Sequence, residues 1–242
     1  MPGSTQVGNT ASIGNMPGRR IFVLACATVI EEMLPLMPAG AGYEALDFGL
    51  HVEPASLHTA LQERIDALAG PYDQIVLGYG LCSMAVAGIR ARRCTLVVPR
   101  VHDCIALFLG SQGAYATQAR HEPGTYYLTK GWIEAGDGPF ADYERALERY
   151  GRQQADRLIK LMLGNYTRLA LINTGLYELD RYREYCRNTA GRFGLRYEEI
   201  EGSTALVERM LTGPWTPDDF IVVPPGGAVK MEQFFDRPPG TS

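Results

Sequence analysis

The chain has 242 residues, of which 46% are hydrophobic and 21% charged, with a formal net charge of −4 at pH 7. That length buries a full core in one large α/β domain or two smaller lobes, and the mildly acidic balance gives no electrostatic basis for binding nucleic acid. No apolar run reaches the roughly 18–20 residues that span a bilayer. Five cysteines are an odd number without the density of a disulfide framework, so reduced thiols in a cytoplasmic protein are expected.

The first 20 residues are rich in Gly, Ser and Asn, lack the apolar core of a secretory signal, and read as a flexible leader. The apolar, partly β-branched run at 21–29 predicts a strand, followed by a short helix from Glu31 to about Met37. A second strand over 43–50 leads through His51 to Pro54, which suits the first turn of a helix. Leu57, Leu61, Ile65 and Leu68 then recur at helical spacing, and Gly70-Pro71 stops the helix. The runs at 74–78 and 95–99 are almost continuously apolar, as parallel strands buried on both faces are. Residues 105–110 predict a short helix, and 124–132 an edge strand or extended loop.

A single long amphipathic helix is expected from Phe140, through Tyr143, Leu147 and Tyr150, to Leu158, Leu161 and Met162. Strands at 168–173, 195–200 and 219–223 then alternate with helices at 176–193 and 204–211. This series ends at Pro224-Pro225-Gly226-Gly227, and the tail at 236–242 reads as loose. The alternation predicts an α/β protein with a doubly wound, mainly parallel sheet. Its expected parts are an N-terminal lobe over 21–135 and a C-terminal lobe over 136–235, with a cleft between them.

Three cysteines follow predicted strands: Cys26, Cys82 and Cys104. Right-handed crossovers put the exits of all parallel strands on one edge, where open sheets keep their chemistry. Three thiolates there would favour a soft metal, zinc or an iron–sulfur cluster, and a zinc with three protein ligands keeps one open position. No CxxC spacing supports a metal, and buried cysteine is ordinary core material. Cys94 and Cys186 read as structural.

Beside the thiols, His102 is either a fourth ligand or general base, or a plain loop residue. Asp103 caps the next helix, and a Cys104 at the helix start would have its pKa lowered by the helix dipole. Glu31 and Glu32 offer a hard ligand or a proton-transfer group, or are acids in a helix's first turn. Gly80, in the GYGLC turn, would let backbone approach a ligand, with Gly226 and Gly227 facing it across the cleft. Neither a phosphate-loop lysine nor GxGxxG is present. Asn173-Thr174-Gly175 reads as a helix cap.

These residues resemble the domain of unknown function 1638 family. The matching pieces are Cys26 with Glu31-Glu32, HVEP at 51–54, IVLGYGLC at 75–82, HDCIALFLGS at 102–111, KGW at 130–132 and FIVVPPGG at 220–227. The resemblance runs from about residue 20 to 235. It departs after Cys82, where Ser83-Met84 stands in place of the family's Gly-Asn.

The family has no assigned activity. By association, the resemblance implies one-carbon metabolism alongside corrinoid-dependent methyl transfer, with a corrinoid protein or methyltransferase as partner. Two functions follow as expectations. One is a metal-dependent enzyme acting on a small polar substrate, with His102 and Glu32 as acid/base groups or fourth ligand. The other is a non-catalytic metal carrier or accessory protein. A third, in which Cys104 attacks and His102 takes its proton, accounts for only one of the three thiols.

Overall fold

The computed structural model describes residues 6–9, 20–82, 84–136 and 138–235. In chain order, β1 (Gln6–Asn9) is followed by β2 (Ile21–Cys26), which runs directly into α1 (Ala27–Met33). Next come β3 (Gly42–Leu46), α2 (Pro54–Leu68), β4 (Gln74–Gly78), β5 (Thr95–Pro99), α3 (Ile105–Phe108) and α4 (Gln112–His121). The chain continues through β6 (Thr125–Leu128), α5 (Lys130–Ala135), α6 (Pro139–Tyr150), α7 (Arg152–Leu163), β7 (Arg168–Asn173) and α8 (Asp180–Phe193). It ends with β8 (Arg196–Glu201), α9 (Ala205–Thr212) and β9 (Phe220–Val223).

The first sheet has the order β1-β3-β2-β4-β5-β9, and the second the order β6-β7-β8. In the first, β3, β2, β4 and β5 are parallel, flanked by antiparallel β1 and β9. The second is parallel throughout. Every residue of β4 is buried, as a strand covered on both faces requires.

The chain steps from β2 to β3 on one side, then crosses to β4 on the other. Thus β2 and β4 border the point where the winding reverses. The crevice beyond the carboxyl ends at such a point is where open α/β sheets take ligands. The two helices flanking this point cover opposite faces. A Cβ on Gly78 would meet Ala25, Val29 and Met33, which places α1 on that side. Arg64 of α2 pairs with Glu44 of β3, whose register partner is Leu24, so α2 lies over the face that carries Leu24 and Cys26.

In the second sheet the central strand β7 is covered on both faces as well. Ala170, Ile172 and Ile200 belong to the core of the first sheet, whereas Leu169 and Leu171 join α6, α7 and α8 in a second core. The expected boundary between lobes is therefore redrawn. β6, placed by sequence in the N-terminal lobe, belongs to the second sheet, and β9 leaves the C-terminal series to pair with β5.

The expected long helix is two helices, broken at Gly151 with φ 75 and ψ 171, a conformation essentially limited to glycine. Folding back lets Phe140 and Tyr143 share one core with Ala155 and Ile159. The strand expected at 21–29 stops at Cys26, and α8 starts at Asp180, later than the expected 176. Within the expected leader, Gln6–Asn9 pairs with β3. The rest of that leader up to residue 19, Ser83 and the expected loose tail lie outside the described residues.

Candidate functional site: three thiols at the sheet's reversal point

Ala25 of β2 pairs with Gly78 of β4, so Cys26 and Tyr79 leave adjacent strands side by side. Cys82 follows three residues later. Its amide N–H donates to the His102 carbonyl at 3.1 Å, and that of Leu81 donates to Val101 at 2.9 Å. This stitches the turn after β4 to the turn after β5 that holds Cys104. A Cβ on Gly80 would sit 2.5 Å from the Val101 carbonyl oxygen, so only glycine lets these two turns close up. The expected ligand-facing role of Gly80 thus gives way to a packing role.

The three thiols are near enough to act on one another. Burial pushes the Cys82 thiol up from 9.0 to about 12, with Cys26 and Asp103 adding to the rise. Cys104 is pushed up further by burial, then by Cys26, Cys82 and Asp103. Burial also raises Cys26, whose Sγ lies 2.9 Å from Thr28 Oγ1. The expectation of a lowered pKa at Cys104 is overturned. Cys104 does precede α3, but a four-residue helix cannot offset burial among like-charging neighbours.

Backbone strain gathers at the same place. Cys82 has φ 44 and Met84 φ 76, left-handed conformations that cost a non-glycine residue about 1–2 kcal/mol each. Met84 stands where the family resemblance expects Asn, a residue that tolerates this region better. Strain of this kind collects at ligand sites and switches. As the side chains stand, no group of three or more His, Cys, Asp or Glu residues among the described residues has metal-holding geometry.

The other expected site residues divide. His102 is exposed at the rim. Its backbone N–H donates to Gln112 Oε1 at 2.9 Å, and its ring lies 5.4 Å from that of Phe235. Asp103 accepts from the Ile105 N–H at 2.9 Å, the expected cap, and burial raises its pKa. Gly226 and Gly227 are far from their expected place. Because β9 runs antiparallel to β5, they follow its end at the amino edge of the parallel strands, where they bond Ala91. They do not face Gly80.

Glu32 also serves elsewhere. It is 1% exposed, and its carboxylate accepts from the Gly131 N–H at 3.0 Å, the Tyr177 hydroxyl at 2.9 Å and the Thr174 hydroxyl at 3.2 Å. Glu31 pairs with Lys130 at 2.6 Å. A Cβ on Gly131 would lie 2.0 Å from the Thr28 carbonyl oxygen. The KGW segment is therefore a clamp between the two sheets' helices, and Glu32 is its acceptor. Asn173 is likewise no helix cap: its Oδ1 accepts from Gly175 in a local turn, well before α8.

Sequence reasoning missed Tyr79. Its ring stacks on His51 at 5.8 Å, and Cys26, Cys82 and Cys104 all act on its hydroxyl. The strict alternation along β4 would have placed it on the Cys26 face. A cavity of about 330 Å³ also opens at the strand ends, lined by Ala27, Glu31, Asp47, Phe48 and Glu134 among others. None of the three cysteines lines it, so it is separate from the thiol cluster.

These features define an α/β protein whose strand winding reverses beneath three thiols, Cys26 buried and Cys82 and Cys104 half-buried. The chain belongs to the family described as Protein of unknown function (DUF1638), whose model matches residues 45–211. Cys82, His102 and Cys104 lie within the match, whereas Cys26, Glu32, Gly226 and Gly227 fall outside it. No curated protein and no solved structure matches the chain.

Proposed function

We propose that this is a metal protein in which Cys26, Cys82 and Cys104 hold a soft cation, zinc or an iron–sulfur cluster, reached past His102 by a small polar ligand. The observation that carries the reading is electrostatic. After burial, Cys26 and Asp103 raise the pKa of Cys82 against a backbone hydrogen bond at Gly80 that lowers it, and Cys26, Cys82 and Asp103 raise that of Cys104. A cation is what such a cluster lacks, and three sulfurs select a soft one. Loading requires the three S–H protons to leave and the sulfurs to turn inward. Cys82 and Cys104 sit in turns, whereas Cys26 is anchored at the end of β2 beside Thr28. Once bound there, zinc would supply Lewis-acid activation and a cluster an open iron. His102, exposed and held by Gln112, is the proton-transfer group at the rim.

The commitment of Glu32 to Gly131, Thr174 and Tyr177 favours a second reading. With one proposed acid/base group removed, the same site suits a carrier or accessory protein serving a methyltransferase, a corrinoid protein or a cofactor-assembly system. The resemblance supplies that setting.

Metal analysis and the visible spectrum of protein purified without oxygen test the central claim. One equivalent of zinc without colour, or a brown protein with a broad visible band, is expected, and Cys26→Ser and Cys82→Ser should each abolish it. A protein that takes up neither zinc nor iron and sulfide on reconstitution would sink the reading, as would variants that load like the parent. Release to a colour-forming chelator then separates the two forms. A carrier gives up its metal within seconds, and an enzyme retains it for hours.

A further inference from the structure

We infer that the cavity of about 330 Å³ on the α1 side of the first sheet binds a small primary ammonium compound, its charged end at Asp47 and its apolar body against α1. This is a second site, independent of the thiols. Cys26 lies on the α2 face of the sheet, whereas Tyr43, Ala45 and Asp47 alternate along β3 and its exit on the other face. Opposite them, Ala27, Ile30, Glu31 and Leu34 recur at helical spacing along α1 and just past its end. Glu134 of α5 completes the wall.

The cavity opens at the carboxyl ends of β2 and β3, the edge of an open α/β sheet that takes ligands. Its volume is at the small end of the range for ligand pockets, and its make-up is theirs: mostly apolar, with a few polar groups. The walls are also fixed in advance. Phe48 stacks on His51 at 5.2 Å, and Asp47 Oδ1 accepts from the Gly49 N–H at 2.7 Å. A site held in place without its ligand spends little of the binding energy on ordering itself.

The lining selects the ligand. It contains no Lys, Arg or His, so an anion would meet no positive side chain there, and its charged members are Glu31, Asp47 and Glu134. Each of these acids has one oxygen engaged. Glu31 Oε2 accepts from Lys130 at 2.6 Å, Asp47 Oδ1 from Gly49, and Glu134 Oε1 from Arg181 and from the Tyr182 hydroxyl at 2.6 Å. Among the described residues no hydrogen bond reaches the second oxygen of any of the three, so the polar groups on offer are acceptors. Lys130 and Arg181 neutralise two of the acids, which leaves Asp47 as the charge without an ion pair among the described residues. The acids do not converge on one point, because no group of three among the described residues has metal-holding geometry. An organic cation fits this spacing better than a bare divalent ion. Its N–H groups meet exposed Asp47, its carbons meet Ile30, Leu34 and Ala45, and Tyr43 and Phe48 supply the aromatic surface that attracts an ammonium.

The test titrates the reduced full chain with n-pentylammonium, n-pentanol and hexanoate, and follows backbone amide signals by two-dimensional NMR. Pentylammonium should saturate, shift the signals of Tyr43, Asp47 and Phe48, and bind about 10-fold more tightly than pentanol, while hexanoate does not bind. Asp47→Asn keeps the oxygen that accepts from Gly49 and loses the charge. It should weaken pentylammonium about 10-fold and leave the affinity for pentanol unchanged. Ala45→Leu, which fills the cavity from β3, should abolish binding of both. Pentanol or hexanoate binding as well as pentylammonium overturns the inference, as does an Asp47→Asn variant that binds like the parent. So does a titration in which none of the three probes moves these signals. Displacement of pentylammonium by magnesium, but not by sodium at equal ionic strength, also overturns it, because the site then takes an inorganic cation. Each of these outcomes leaves the thiol reading intact, since that reading is judged by metal loading.

Discussion

Cys82 condenses the local problem of the site into one residue. It takes a left-handed backbone at φ 44, donates its N–H to His102, and keeps its thiol protonated up to about pH 12. In the unfolded chain the thiol titrates near 9.0. Above that pH the unfolded state sheds its proton while the folded state retains it. Stability of the metal-free protein is therefore intact below about pH 9 and declines as pH climbs towards 12, at up to roughly 1.4 kcal/mol per pH unit for this group. Urea denaturation of parent and Cys82→Ser at a series of alkaline pH values should show a shallower decline in the variant. Equal slopes would mean that the thiol is solvated in the folded protein. The neighbouring sulfurs were legible as strand-end cysteines, but the sign of the effect on Cys104 was not. A helix start predicts a lowered pKa, and only the packing reveals the burial and like-charging neighbours that raise it.

Between elements, the contact of α1 with α5 is the part that sequence reasoning assigned to chemistry and the structure assigns to architecture. Two adjacent acids after a strand look alike whether they face a ligand or a neighbouring helix. The deciding fact is that KGW, 99 residues away in sequence, delivers Lys130 to Glu31 and the Gly131 N–H to Glu32. Replacing Glu32 with Ala leaves three donors facing an apolar gap, and should cost roughly 3 kcal/mol in urea denaturation. Glu32→Gln should cost about 1 kcal/mol, because the amide oxygen retains two bonds and the Thr174 hydroxyl can turn to accept from the amide nitrogen. Both variants should load metal like the parent. Loss of metal in Glu32→Gln would return this residue to the thiol site. The same scale explains the broken helix: the apolar spacing on either side of Gly151 is continuous, and a periodic pattern carries no information about a reversal at one glycine.

Across the whole molecule, the two sheets share a core. Ala170, Ile172 and Ile200 lie in the cluster built around β2, β4 and β5, so the second sheet has one face that only the first half can bury. The chain should therefore unfold in a single transition, with near- and far-ultraviolet circular dichroism coincident in urea. A fragment spanning residues 124–202 alone should expose that apolar face and aggregate. Two separated transitions, or a soluble and cooperatively folded fragment, would show that the halves are independent. Among the described residues no helix is long and apolar enough to cross a membrane.

The sequence by itself determined the α/β class, the positions of β4, β5, β7 and α2, and the placement of three cysteines at strand exits. These are local facts, set by runs of apolar residues and by the period at which they recur. Tertiary structure alone decided that β9 turns back beside β5 and carries Gly226 and Gly227 to the opposite edge. It also decided that Glu32 faces the second sheet's helices and that Tyr79 stands beside the thiols. Strand order and partner choice depend on burial shared between segments far apart in the chain, and no local pattern encodes which segment will supply the other half of a buried contact.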